Sequence, residues 1–110
     1  MKAVVVAVGF DEKLILRSLL RIGISKGDTV VLVYSLAGNE EDKRKVRNAL
    51  ENIKIILSGM DISSKEIEVS GMDFAKDVAT ILNAIKELGN VDEMILSLAS
   101  SMRLHVLEIL

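Results

Sequence analysis

Residues 94–103 include residue types that could bind a phosphate group. Apolar residues at the start of this segment predict a buried strand, and Ser100 and Ser101 follow it, with Arg103 on the first turn of a predicted helix. The free backbone N–H groups of a helix N-terminus, two hydroxyl groups and a guanidinium group together favour an anion. We therefore predict a phosphate site where this strand ends.

A second candidate site lies near the N-terminus, where a valine-rich run ends at Gly9. Gly9 could let a ligand approach the backbone closely, or it could be a simple turn glycine. Asp11 could hydrogen-bond a ribose hydroxyl group, or it could cap the helix that follows, which is the more common role. Two such strand ends in one parallel sheet would frame a single ligand crevice.

The residues near the C-terminus also have structural interpretations. Ser100 and Ser101 could cap a helix, which is compatible with phosphate binding because a capped N-terminus still has free N–H groups. Arg103 could form a surface salt bridge, and His105 could pack or contact solvent. The sequence contains no Ser–His–Asp order and no nucleophile elbow. A metal-independent cleavage of RNA would leave little signature, because the 2′-hydroxyl group of the substrate can be the nucleophile.

Composition argues against several classes of function. The chain has 110 residues, no cysteine and one histidine, so neither disulfides nor a zinc centre is expected. The formal net charge of −2 argues against broad nucleic-acid binding, which needs a basic face. Neither the dinucleotide nor the P-loop glycine pattern is present, so no cofactor is expected. No apolar run approaches the roughly 20 residues of a membrane span, and we expect a cytoplasmic protein without a membrane partner.

Hydrophobic periodicity predicts the elements that position these residues. Apolar runs, continuous or alternating, predict four strands, at residues 3–8, 29–34, 66–70 and 94–98. Apolar residues three or four positions apart predict four helices, at residues 14–22, 39–57, 73–88 and 102–110. Asp73 is the predicted N-cap of the third helix. The alternation at 66–70 predicts a strand that lies at a sheet edge or is half exposed. Four successive βα units predict an α/β fold with a mainly parallel sheet and helices on its faces. The fourth helix would be apolar all round, so it should be buried against a partner chain or against further residues of the same protein.

Short stretches of this chain resemble CRISPR-associated Rossmann-fold (CARF) domains, most closely the sensor half of archaeal CRISPR-associated winged-helix regulators. The matching stretches are GFDE at 9–12, EIEV at 66–69, DFA at 73–75 and LASSMR at 98–103. Ser97, Ala99 and Ser101 stand where that family commonly has a polar or acidic residue, a threonine and a glycine. The resemblance implies a Rossmann-like three-layer sandwich that forms a homodimer. It also implies one domain over residues 1–110, without the family's usual C-terminal strands and helix-turn-helix domain.

The resemblance further implies a function. That family binds cyclic oligoadenylates, the second messengers of type III CRISPR defence, in a pocket across a two-fold dimer, and for this branch the ligand would be cyclic tetra-adenylate. The implied ligand-binding residues are Gly9, Phe10, Asp11, Ala99, Ser100, Ser101, Met102 and Arg103. The fourth helix would supply the dimer contact, and this domain alone would not bind DNA. Two alternatives stay open: a metal-independent ring nuclease that degrades the messenger, and a dimerisation domain that binds no ligand.

Overall fold

A computed structural model describes residues 1–9, 12–36, 38–70, 72–99 and 102–106, with the backbone alone for residues 97–99 and 102–106. The elements, in chain order, are β1 (Lys2–Ala7), α1 (Glu12–Ile22), β2 (Thr29–Tyr34), α2 (Glu40–Gly59), β3 (Ser63–Glu68), α3 (Phe74–Glu87), β4 (Glu93–Ala99) and β5 (Met102–Val106).

The strands form one sheet in the order β3-β2-β1-β4-β5. Strands β3, β2, β1 and β4 are parallel to one another, and β5 is antiparallel to β4. The chain adds β2 and β3 on one side of β1 and then returns to add β4 on the other side. The direction of the crossovers therefore reverses between β1 and β4, which is the feature of doubly wound α/β sheets that creates a crevice.

Helices cover both faces of this sheet. Leu19 of α1 and Ile53 of α2 join one apolar cluster with Val6 of β1, whereas Ile85 of α3 joins a second cluster with Val5. Successive residues of a strand point to opposite faces, so β1 is buried on both sides. The predicted α/β three-layer sandwich with a mainly parallel sheet is confirmed. Across the described residues, no helix has the length and hydropathy that a membrane span requires.

Two helices begin at side-chain caps. The Asn39 side chain accepts a hydrogen bond from the Asp42 N–H group at 2.8 Å, which starts α2. The Asp73 side chain accepts one from the Lys76 N–H group at 3.1 Å, so the predicted cap of α3 is confirmed. Each cap satisfies one backbone donor that the helix itself leaves unpaired, an effect of about 1 kcal/mol.

The predicted fourth helix is wrong, because the chain forms β5 from Met102 to Val106. Met102, Leu104 and Val106 alternate with Arg103 and His105, which is the period of a strand. The antiparallel pairing with β4 satisfies the backbone of this segment. The fold therefore has three βα units followed by two antiparallel strands. Residues 102–106 form a strand and not the helix that was expected to form the dimer contact. Residues 107–110 lie outside the described residues.

The third strand also differs from its prediction. It begins at Ser63 rather than Glu66, because Ser63 and Ser64 pair with Thr29 and Val30 of β2 despite their polar side chains. Its predicted position at a sheet edge is confirmed. Most of its residues are exposed, as an edge strand allows.

Candidate functional site

The two strand ends that the sequence singles out are neighbours in the sheet. Strands β1 and β4 are parallel, with Val6 opposite Ser97. Gly9 therefore follows the end of β1 close to Ala99, the last residue of β4. The Val8 N–H group donates a hydrogen bond to the Val33 carbonyl oxygen of β2 at 2.7 Å, which fixes the backbone just before Gly9. The topology thus provides one crevice bounded by both strand ends.

The backbone conformation at Gly9 does not require glycine. Its φ angle lies outside the left-handed region, and apart from its neighbours in the chain no described atom lies within 4 Å of a Cβ added at this position. Four other glycines do have positive φ angles, namely Gly23, Gly27, Gly38 and Gly89. The turn interpretation of Gly9 therefore loses its usual physical reason. Open space at this position is compatible with a ligand that approaches the backbone closely.

Met102 and Arg103 stay at the same edge of the sheet, although they belong to a strand. Met102 pairs with Ala99, and Arg103 pairs with Ser97. Because β5 runs antiparallel to β4, its first residues lie beside the last residues of β4. The helix N-terminus that was predicted to supply free N–H groups at Arg103 is absent from residues 102–106, so that part of the predicted phosphate site is wrong. The Arg103 backbone nevertheless lies close to the end of β4, because strand pairing rather than a helix places it there.

Four residues of the predicted site lie outside the described residues: Phe10, Asp11, Ser100 and Ser101. The proposed contacts of Asp11 with a ribose and of the two serines with phosphate oxygens stay predictions. The structure describes the chain on both sides of each pair, at Gly9, Glu12, Ala99 and Met102.

Ser70 lies near the carboxyl ends of the same parallel strands, on the side of β1 away from β4, and makes several hydrogen bonds there. The Ser70 N–H and Oγ–H groups both donate to Asp77 Oδ1 at 3.0 Å. The N–H groups of Met72 and Asp73 in turn donate to Ser70 Oγ, at 3.1 and 3.3 Å. Ser35, which follows β2, donates to the Ser70 carbonyl oxygen at 3.3 Å. These bonds hold the start of α3 in place, and the sequence did not predict them.

The first turns of the helices at this edge are acidic. They carry Glu12 in α1, Glu40, Glu41 and Asp42 in α2, and Asp77 in α3. These carboxylates complement the positive ends of the helix dipoles, and they disfavour a phosphate group beside the first turn of any of the three helices. In α1, Glu12 Oε2 accepts a hydrogen bond from Asn52 Nδ2 of α2 at 2.8 Å.

Among the described side chains, those with clearly shifted pKa values belong to a surface cluster around β3. Partial burial raises the pKa of Tyr34 above 10.0, and the negative charges of Glu68 and Glu66 add to that effect. A hydrogen bond to Glu66 raises the pKa of Lys54 above 10.5. Both shifts stabilise the form that each group already has at neutral pH, so they indicate an ion-pair network rather than an acid–base pair. Among the described side chains, no cluster of three or more His, Asp or Glu could hold a metal ion.

Comparison with known proteins adds one finding. The family model described as the Csa3 CRISPR-associated Rossmann-like domain matches residues 2–110. The match extends over nearly the whole chain, and the doubly wound sheet is the fold that this description names. No curated protein matches the chain.

Proposed function

The chain belongs to the family of Csa3 CRISPR-associated Rossmann-like domains, and on that premise we propose that it is a sensor of cyclic tetra-adenylate. It would act in type III CRISPR signalling or in the regulation of CRISPR genes. The observation that supports this proposal most directly is the parallel pairing of β1 with β4 at the point where the crossovers reverse. Gly9 and the start of β5 lie at the resulting crevice.

The chemistry of the crevice suits a phosphate diester. At Gly9 the backbone is open to close approach, since no described atom occupies the space of a side chain. Arg103, paired with Ser97, could add a guanidinium group that binds a phosphate through two hydrogen bonds. The first turns of α1, α2 and α3 are all acidic, so the proposed phosphate contacts are with the Gly9 backbone and Arg103 rather than with a helix N-terminus. The proposed contacts are with Gly9, Phe10, Asp11, Ala99, Ser100, Ser101, Met102 and Arg103.

A ring of four nucleotides is symmetric, and a two-fold dimer would present the same crevice to it twice. We therefore propose that the binding unit is a homodimer. Light scattering coupled to size-exclusion chromatography should give twice the chain mass of 12.0 kDa. A monomer both with and without the ring would contradict a shared pocket.

Binding is tested by calorimetry and by thermal unfolding with cyclic tetra-adenylate, with linear tetra-adenylate as the control. A ligand that binds only the folded state stabilises it by about 2.7 kcal/mol at a concentration 100 times its Kd. We expect a clear rise in melting temperature with the ring and a smaller one with the linear form. If the ring causes no rise and no heat, the sensor proposal is wrong, and a ligand-free dimerisation domain becomes the better interpretation.

The same ligand separates sensing from ring cleavage. We expect labelled cyclic tetra-adenylate to be recovered intact after long incubation with the protein in the presence of a metal chelator. A linear product that accumulates with time would instead identify a metal-independent ring nuclease. That reaction needs the 2′-hydroxyl group to be aligned with the adjacent phosphate, and a 2′-deoxy ring would then be resistant.

A further inference from the structure

Two large apolar side chains are exposed at the start of α3. Met72 has 91% of its surface exposed, and Phe74 has 81%. Side chains of this size are usually buried, and single exceptions are common on protein surfaces. These two residues lie on either side of Asp73 in the chain, and we call them together the Met72–Phe74 surface.

The backbone under this surface is held in place. Asp73 caps the helix by accepting from the Lys76 N–H group at 3.1 Å. The Met72 and Asp73 N–H groups donate to Ser70 Oγ, and Ser70 donates to Asp77. An exposed ring on a fixed backbone loses little entropy when it binds a flat partner.

The surface lies at the edge of the sheet that contains the crevice. Phe74 follows β3, and β3 is two strands from β1 in the sheet. With strands about 4.8 Å apart, β3 lies about 10 Å from β1 across the sheet. A cyclic tetranucleotide whose phosphates occupy the crevice extends beyond it, because each phosphate carries a sugar and a base.

We propose that the Met72–Phe74 surface is a stacking site for one adenine base of the bound ring, a proposal that rests on the proposed function. Base–aromatic stacking is a general source of affinity for nucleotides. The other described aromatic residue is Tyr34, which is only partly exposed. Phe74 is therefore the described aromatic ring that presents most of its surface to a ligand.

The charges around the surface favour a base over a phosphate. Asp73 and Asp77 place carboxylates next to Phe74, and they would repel an anion. Adenine is neutral and carries an amino group that donates hydrogen bonds to acceptors such as carboxylates. In the proposed complex, phosphate groups contact Gly9 and Arg103, and one adenine base contacts Phe74.

The test is calorimetry with cyclic tetra-adenylate on the wild type and on three variants: Phe74→Ala, Phe74→Tyr and, as control, Leu20→Ala. Leu20 is 68% exposed near the far end of α1, so its loss removes a comparable apolar surface away from this edge. We expect Phe74→Ala to weaken binding about 5- to 150-fold, the range for one stacked base. Phe74→Tyr should keep the affinity, because it keeps the ring, and Leu20→Ala should match the wild type.

Nuclear Overhauser contacts between adenine protons and the Phe74 ring in the complex give a direct second measurement, and we expect to observe them. If the wild type binds the ring and Phe74→Ala binds it equally well, the stacking site is wrong and the sensor function stands. If the wild type does not bind the ring at all, both proposals are wrong. If Phe74→Ala instead dissociates a dimer in the absence of ligand, the surface is a subunit contact, and the stacking proposal is overturned.

Discussion

Val6 of β1 lies directly opposite Ser97 of β4 in a parallel pair, although two other strands and three helices separate these residues in the chain. The pairing brings the two strand ends to one place, while the chain leaves β1 toward α1 on one face and reaches β4 from α3 on the other. Helices that depart to opposite faces leave a gap between the strand ends. Substitutions at Gly9 and at Arg103 therefore test one site.

The first prediction concerns Gly9→Ala. The backbone does not need glycine here, so alanine should raise the free energy of unfolding by about 0.4–1 kcal/mol, because it restricts the unfolded chain. The added methyl group should weaken binding of cyclic tetra-adenylate by about 1–3 kcal/mol, the cost of overfilling a packed site. Urea denaturation and calorimetry measure the two effects, which have opposite signs.

Gly23→Ala is the matched control, because Gly23 has φ +80° and lies away from the crevice after α1. Alanine in the left-handed region is strained, so this variant should lose stability and keep its affinity. The interpretation of Gly9 as a ligand contact would be wrong if Gly9→Ala were destabilised like Gly23→Ala, or if it bound the ring as tightly as the wild type.

The second prediction concerns Arg103→Ala. A hydrogen bond to a charged group contributes about 1.5–3 kcal/mol, so affinity for cyclic tetra-adenylate should fall about 10- to 150-fold. Arg21→Ala is the control, because Arg21 is an exposed arginine in the last turn of α1, and it should bind like the wild type. Equal heats of binding for Arg103→Ala and the wild type would remove Arg103 from the site.

The third prediction concerns Asp28, a carboxylate with only 9% of its surface exposed. It accepts hydrogen bonds from the Lys2 and Ser25 N–H groups, at 3.1 and 3.0 Å, and so it fixes the start of β1. Asp28→Ala should lower the free energy of unfolding by about 1.5–3 kcal/mol, since it leaves these donors without an acceptor. Asp28→Asn keeps one acceptor oxygen and should lose less.

Asp28 lies at the opposite end of β1 from Gly9, so the folded Asp28→Ala protein should keep its affinity for the ring. Denaturation in urea measures the stability of both variants, and calorimetry below the unfolding transition measures the binding. An unchanged denaturation midpoint would show that the Asp28 hydrogen bonds contribute nothing net to the fold.

Local patterns in the sequence predicted most of the fold. β2 occupies residues 29–34 as its apolar run predicts, and Asp73 caps α3 as its position before an apolar period predicts. Both signals depend on neighbouring residues alone, so they can be recognised in the sequence without the tertiary structure. The start of β3 could not be predicted from the sequence, because Ser63 becomes part of a strand only through its pairing with Thr29.

The error at residues 102–106 has the same origin and matters more for the site. This short apolar segment fits a helix or a strand, and its pairing with Met94–Ala99 decides between them. Sequence reasoning therefore placed Arg103 at the correct edge on the wrong element. The Ser70–Asp77 hydrogen bonds were also missed, although a serine three residues before Asp73 is a recognisable turn signal.

The fourth prediction concerns stability at alkaline pH. The pKa values of Tyr34 and Lys54 are both raised, from 10.0 and 10.5, the first by burial and the second by its hydrogen bond to Glu66. The folded protein therefore keeps two protons at a pH where the unfolded chain has begun to lose them. Their contribution is fully present below about pH 10 and is lost as pH rises through the folded-state values, so the free energy of unfolding should fall over that range.

Urea denaturation between pH 8 and pH 11 measures this loss, and Glu66→Gln tests its cause. Glu66 bonds to Lys54 and also adds to the shift of Tyr34, so the variant should show a shallower fall in stability above pH 10 than the wild type. Glu87→Gln is the matched control, because Glu87 pairs with Lys65 at 2.9 Å instead. If the free energy of unfolding fell equally steeply with pH in the wild type and both variants, groups other than those near Glu66 would cause the loss.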